Sequence, residues 1–178
     1  ISVIVIDMVG IFWTLKVPSR GNEKELLEWG LSPEATPVRI LVPKGKIDFY
    51  TEKQIPVDGA LTLRCSEMDI TEWMALFRYT WHDAEAILLG RVFEQVKEQL
   101  GTRYGIDDLI QSISRDGESD KLTQQALRNR LEMAKGWGLL EREGTKMMDI
   151  AEAGKITVID VSAYRQAIGM EGTKDIIV

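Results

Sequence analysis

The stretch ISVIVID, residues 1–7, decides the fold class because its apolar run is broken only by Ser2 and ends in an aspartate. An apolar run without alternation is typical of a strand covered on both faces, as in a parallel α/β sheet. A second run, ITVI at 156–159, also ends in an aspartate, Asp160. Between them, VRILV at 38–42 is bounded by prolines and predicts another strand. The sequence therefore predicts an α/β protein with a parallel sheet.

The sequence between these runs changes character and predicts a helical insertion. Apolar residues recur there at helical spacing, and Asp69 followed by Glu72 has the pattern of a capping box. We expect α/β core in 1–65, a helical insertion in 66–148 and a return to the core in 149–178. The expected helices are 23–29, 70–77, 84–100, 106–113 and a helix capped by Thr123 that ends near Gly136. The residues around Phe49 and Tyr50 are expected to form a loop or a weak strand.

Composition excludes several classes of protein. The chain has 178 residues, a net charge of −6, one Cys and one His, so it can form neither an intrachain disulfide nor a His-based metal cluster. No window approaches the ~18 uninterrupted apolar residues of a membrane span. We therefore expect a cytoplasmic protein with no metal site, on whose acidic surface only a local basic stripe could bind nucleic acid.

The two strand ends supply the first candidate site. In open α/β sheets, ligands bind at the carboxyl edge of the strands, where Asp7, Gly10 and Asp160 are expected. A carboxylate there can hold a metal ion or orient water. The alternative is that each aspartate caps the turn that follows it.

No nucleotide-binding or nucleophilic motif is complete, so no catalytic residue is assigned. The chain lacks both G-x-x-x-x-G-K-[ST] and G-x-G-x-x-G, and GMEGTK at 169–174 has the letters in the wrong order. Cys65 and His82 could form a nucleophile–base pair, but a lone cysteine is more often a buried small apolar residue.

Residues 122–144, LTQQALRNRLEMAKGWGLLEREG, supply the second candidate site. A helix followed by Gly-Leu-Leu and a turn resembles the recognition helix and wing of a winged-helix domain. Its cations Arg128, Arg130 and Lys135 could contact DNA phosphates. The alternative is a structural helix with a solvated face, because Glu132 and the later glutamates dilute the positive charge. The aromatic residues at helical spacing are expected in the core: Trp73, Phe77, Trp81 and Trp137.

Five segments in order resemble HerA-type ATPases of the HerA/FtsK superfamily. They are VIVIDMVGIFWTLK (3–16), VRILVP (38–43), YGIDDLI (104–110), ALRNRLEMAKGWGLL (126–140) and GKITVIDVS (154–162). The resemblance covers nearly the whole chain. It departs from the family at Ile11, where an acidic residue often follows the glycine.

This resemblance implies a partial P-loop NTPase-like sheet from an ATP-driven DNA translocase or helicase. By this resemblance, the parent would use ATP and Mg²⁺, form a hexameric ring, act on DNA and work in some cases with a nuclease. The phosphate-binding loop is expected before Ile1 and the Walker B strand after Val178, so Asp7, Gly10 and Asp160 would lie at the edge of the nucleotide cleft. We expect the chain alone neither to bind nor to hydrolyse ATP. The alternatives are a winged-helix DNA-binding regulator and an interaction module without chemistry of its own.

Overall fold

The computed structural model describes residues 1–166, in which a four-stranded parallel sheet carries a helical segment between its third and last strands. The strands are β1 (Val3–Asp7), β2 (Val38–Pro43), β3 (Gly59–Leu61), β4 (Leu63–Arg64), β5 (Leu140–Glu141) and β6 (Ile156–Asp160). The α-helices are α1 (Glu23–Glu28), α2 (Ile47–Glu52), α3 (Ile70–Phe77), α4 (Ala84–Leu100), α5 (Ile106–Ile113), α6 (Lys121–Gly136) and α7 (Met147–Ile150). The predicted α/β class with a parallel sheet is confirmed. The rejected motif at 169–174 lies outside the described residues.

The main sheet has the order β1-β6-β2-β3, and every neighbouring pair is parallel. Val158 of β6 lies between Val5 of β1 and Ile40 of β2. The central strands β6 and β2 are buried, as their apolar runs predict. The apolar run of β1 is less buried than expected, since Val3 is 42% exposed. The reason is that β1 lies at the edge of the described sheet.

The two faces of the sheet contribute to two apolar clusters. One face, with Ile40 and Val158, packs on Tyr50 of α2 and on Trp13. The other face, with Leu41 and Ile159, belongs to the cluster that also contains the cores of α3, α4, α5 and α6. The helical segment therefore shares one continuous core with the sheet.

The helical segment forms mostly where its spacing predicts. The capping box of α3 is present, with Asp69 accepting from the Glu72 backbone and Glu72 accepting from the Asp69 backbone. Helices α4, α5 and α6 pack against one another in all three pairs. The predicted cap of α6 is wrong: Asp120 is the N-cap, and Thr123 lies buried in the first turn.

Two further local predictions are wrong. The segment around Phe49 and Tyr50 forms helix α2, because Tyr50 is fully buried on its inner face. Trp81 is 64% exposed in the turn before α4, whereas the three other aromatic residues expected in the core are buried. No helix within residues 1–166 has the length and apolar character that a bilayer crossing requires.

The segment after α6 does not form a hairpin wing. β5 instead pairs in parallel with β4, and Thr145 donates its backbone N–H to the Thr62 carbonyl. The turn that follows α6 therefore folds back on the chain before α3, and it leads to α7 and β6.

Candidate functional site

The Asp7 carboxylate is enclosed by the turn that follows β1. Its Oδ1 accepts the backbone N–H groups of Val9 and Gly10 at 3.0 and 2.7 Å. Its Oδ2 accepts those of Ile11 and Phe12, both at 2.8 Å. The side chain is 1% exposed, so both oxygens are used within the turn. Asp7 thus has the turn-capping role that the sequence left as the alternative to ligand binding.

Asp160 lies beside Asp7, as the sequence predicts, because their strands are neighbours in register. Its Oδ1 accepts from the Tyr50 hydroxyl at 2.8 Å and from the Ser162 backbone N–H at 2.9 Å. Its Oδ2 is buried and has no hydrogen-bond partner among the described residues. Burial, with a smaller contribution from the Asp160 charge, raises the pKa of Tyr50, so the hydroxyl stays a donor at neutral pH.

Gly10 completes this edge of the sheet. Its φ of +82° lies in the left-handed region, and a Cβ there would come 2.4 Å from Ser162 Oγ. The structure thus brings together Asp7, Gly10 and Asp160. Sequence reasoning missed Tyr50, because its segment was not recognised as a helix.

The geometry of this edge does not fit a metal or nucleotide site formed by the chain alone. Asp7 has no oxygen left for a cation, and Asp160 is 0% exposed. Within residues 1–166 no three His, Cys, Asp or Glu side chains are grouped to hold a metal ion. The carboxyl edge therefore stabilises the sheet, and the part of the chain that the structure describes offers no phosphate-binding loop.

The second candidate site is the solvent face of α6. Gln125, Arg128 and Asn129 are exposed and lie at i, i+3 and i+4 on this face. The Gln125 amide donates to Asn129 Oδ1 at 2.7 Å, and Arg128 donates to Ser114 Oγ at 3.2 Å. A groove of about 250 Å³ between the end of α5 and the first turns of α6 has Lys121, Gln124, Gln125 and Arg128 along it.

The three cations predicted to contact DNA have different surroundings. Arg128 lines the groove. Lys135 is held by Asp107 of α5 at 2.6 Å. Arg130 lies beside Tyr79, whose pKa is raised by burial, an effect that the Arg130 charge opposes. Of the three, Arg128 is the one that faces solvent from the α5–α6 groove without a carboxylate partner among the described residues.

The connection between α5 and α6 is held by Asp116. It accepts from Arg91 of α4 at 3.1 Å and from the Ser119 backbone N–H at 2.7 Å. Burial acts to raise the pKa of Asp116, but these hydrogen bonds outweigh it and lower the pKa below its ordinary value. Asp120 then caps α6 by accepting from the Leu122 and Thr123 backbones. The beginning of α6 is therefore fixed relative to α4 and α5.

The end of α6 is fixed against the sheet. The Gly45 N–H donates to the Gly138 carbonyl at 2.9 Å, and the Tyr164 hydroxyl donates to the Trp137 carbonyl at 3.1 Å. A Cβ on Gly138, whose φ is +63°, would come 2.4 Å from Gly45 Cα. The backbones touch where α6 meets the turn after β2, so both positions require glycine.

Cys65 and His82 do not form a catalytic pair. Cys65 is fully buried in the core, and burial, followed by the nearby Asp108 charge, raises the pKa of its thiol to about 12. His82 lies exposed in the turn before α4. The thiol therefore behaves as the small apolar core residue that the sequence offered as the alternative.

Comparison with family models, curated proteins and solved structures finds no match to this chain. The fold and site define its class: an α/β protein whose parallel sheet carries three mutually packed helices, α4, α5 and α6. The solvent face of the third helix is rich in amide and cationic side chains.

Proposed function

We propose that this chain binds duplex DNA through α5 and α6, as part of an ATP-driven DNA translocase or helicase resembling the HerA-type ATPases. The observation that carries the DNA-binding part is the solvent face of α6. Lys121, Gln125 and Arg128 project from it beside the end of α5. Two packed helices, the second of which is exposed, are the arrangement with which helix-turn-helix proteins enter the major groove, and here residues 114–120 join α5 to α6.

Size and charge are compatible with this role. A 16-residue helix such as α6 is about 24 Å long, and the major groove of about 12 Å width admits a helix. Lys121 and Arg128, with Arg115 in the preceding turn, form no salt bridge among the described residues and remain available to phosphates. The net charge of −6 disfavours binding through the rest of the surface.

The motor part of the proposal is supported by the five segments that resemble the family and by the parallel sheet. Among residues 1–166, the carboxylates at the carboxyl edge are buried and not accessible to ATP or Mg²⁺, and the sequence has no phosphate-binding loop. In this proposal, other parts of a ring-forming parent bind ATP and Mg²⁺, and a nuclease can act with it. The 178-residue chain should show no saturable binding of Mg-ATP in calorimetric titration, and tight Mg-dependent binding would refute this division of roles.

DNA binding is tested by fluorescence anisotropy with a labelled duplex and the 178-residue chain. We expect binding at about 50 mM salt that weakens as salt rises to about 200 mM, because phosphate contacts release counterions. Arg128→Ala should weaken binding. Arg20→Ala is the matched control. Arg20 lies in the loop after Trp13, on the side of the sheet opposite to the one on which α6 packs. Absence of binding at low salt, or equal effects of the two variants, would refute DNA binding by α6.

A separate observation favours the interaction-module alternative. Leu27 and Trp29, at the end of α1, are 76% and 82% exposed. Light scattering tests this role through the molar mass in solution. If Leu27 and Trp29 form a self-association surface, the chain should be larger than a monomer and the Trp29→Ser variant should be a monomer.

A further inference from the structure

We infer that α6 reads base edges, so that the chain binds duplex DNA with sequence selectivity rather than through phosphates alone. This inference rests on the proposed DNA-binding function. The geometry points to the four exposed side chains of Leu122, Gln125, Arg128 and Asn129, which we call the α6 readout face.

The chemistry of the α6 readout face matches that of base edges in the major groove. Arginine binds guanine O6 and N7 in a bidentate manner, and glutamine or asparagine binds adenine N6 and N7 in the same way. Leu122 is 81% exposed, and such an apolar side chain can contact a thymine methyl group. The spacing of 122, 125 and 129 keeps these side chains on one stripe of the helix.

These side chains have no partner in the core that would explain their identity. Gln125 and Asn129 bond to each other, and Arg128 bonds to the Ser114 hydroxyl. Both hydrogen bonds lie at the exposed surface and can be exchanged for base partners. Ser114 also orients the guanidinium, which reduces the side-chain entropy that Arg128 loses on binding.

Charge argues against binding through phosphates alone. Three cations around α5 and α6 are already paired: Lys135 with Asp107, Arg91 with Asp116 and Arg142 with Asp108. Lys121, Arg128 and Arg115 remain beside the groove, and Glu132 lies on α6 one turn beyond Arg128. Arg130 also forms no salt bridge among the described residues, but it lies beside Tyr79 rather than in the groove. Three phosphate contacts give a slope of log K against log salt of roughly −3, against about −10 for a strongly phosphate-dependent binder.

The first part of the test selects a preferred duplex from a randomised pool with the 178-residue chain. Anisotropy titrations then compare the selected duplex with a shuffled duplex of equal length and composition. We expect at least about 100-fold tighter binding to the selected duplex, because specific sites are usually bound 10³-fold tighter or more. We also expect a shallow salt slope, near −3, on the shuffled duplex.

The second part uses Arg128→Lys, which keeps the charge and loses the bidentate fork. It should lose about 10-fold or more in affinity for the selected duplex and clearly less for the shuffled duplex, because lysine keeps the charge that contacts phosphates. Lys121→Ala is the comparison variant and should weaken both duplexes equally. Both substitutions lie at exposed positions, and thermal unfolding verifies that each variant is folded.

The outcomes separate this inference from the proposed function. Binding to both duplexes with equal affinity, or an equal loss on both with Arg128→Lys, overturns base readout and leaves DNA binding intact. Absence of binding to every duplex at low salt overturns both.

Discussion

Replacing Asp7 with Asn should destabilise the protein strongly, although the two side chains have nearly the same shape. The carboxylate accepts four backbone N–H groups at 2.7–3.0 Å, two on each oxygen. An Asn side chain keeps one oxygen and presents an NH₂ group to the other pair of N–H donors. Two charge-assisted hydrogen bonds are lost, and two backbone donors that face the buried side chain are left without an acceptor.

The expected loss is large relative to the stability of a domain. A hydrogen bond to a charged group contributes about 1.5–3 kcal/mol, so two of them give a loss of about 3 kcal/mol or more. A single domain is stable by only about 5–15 kcal/mol. With a slope of about 2 kcal/mol per molar urea, the unfolding midpoint should fall by about 1.5 M.

The assay is urea unfolding followed by circular dichroism, with Asp149→Asn as the control. Asp149 is also an aspartate, in the short helix α7, but it is exposed and its side chain accepts no hydrogen bond among the described residues. The control should change the free energy of unfolding by no more than about 0.5 kcal/mol. A loss of that small size for Asp7→Asn would refute the turn-capping role and return Asp7 to the candidate ligands.

Three other predictions concern glycine, cysteine and pH. Gly138→Ala should lower the free energy of unfolding in urea by about 1–3 kcal/mol, because its Cβ would meet the Gly45 backbone at a positive φ. Gly90→Ala, which has open space around it in α4, should raise the free energy of unfolding by about 0.5–1 kcal/mol. Equal effects of the two substitutions would contradict the close approach of Gly138 to Gly45. Cys65, with its pKa near 12, should react with a thiol reagent at about pH 8 only after unfolding, and rapid native-state labelling would contradict its burial. The pKa of Asp116 is lowered in the folded protein, so its carboxylate contributes its full stabilisation above its ordinary pKa near 4 and loses it as pH falls through the folded-state pKa. Between about pH 7 and pH 3, the urea midpoint of Asp116→Asn should therefore fall less than that of the unsubstituted protein. An unchanged pH dependence in that variant would show that the carboxylate does not stabilise the α5–α6 connection.

The sequence was sufficient where a local pattern determines the structure. The apolar runs ending in Asp7 and Asp160 predict parallel strands, and parallel neighbours necessarily bring those ends to one edge. The capping of the turn by Asp7 also had a local signal, because an aspartate followed by Gly10 three positions later is typical of a side chain that accepts backbone N–H groups of the next turn.

The sequence was insufficient where the partner is distant. Nothing near Lys135 shows that Asp107, on another helix, neutralises it. The helical conformation of the segment around Tyr50 depends on burial against β6 and on a hydrogen bond to Asp160. The contact of Gly45 with Gly138 likewise joins segments that local propensity treats separately.

The order β1-β6-β2-β3 has a consequence for how the protein is made. The strand between β1 and β2 is the last of the described strands to leave the ribosome. Until β6 emerges, β1 has no neighbour in the main sheet, and β2 can pair only with β3. Pairing across such sequence separations slows folding and leaves apolar strand edges exposed. The helical segment is synthesised before the sheet can close, so nascent chains halted before residue 156 should be the species that chaperones bind and that aggregate.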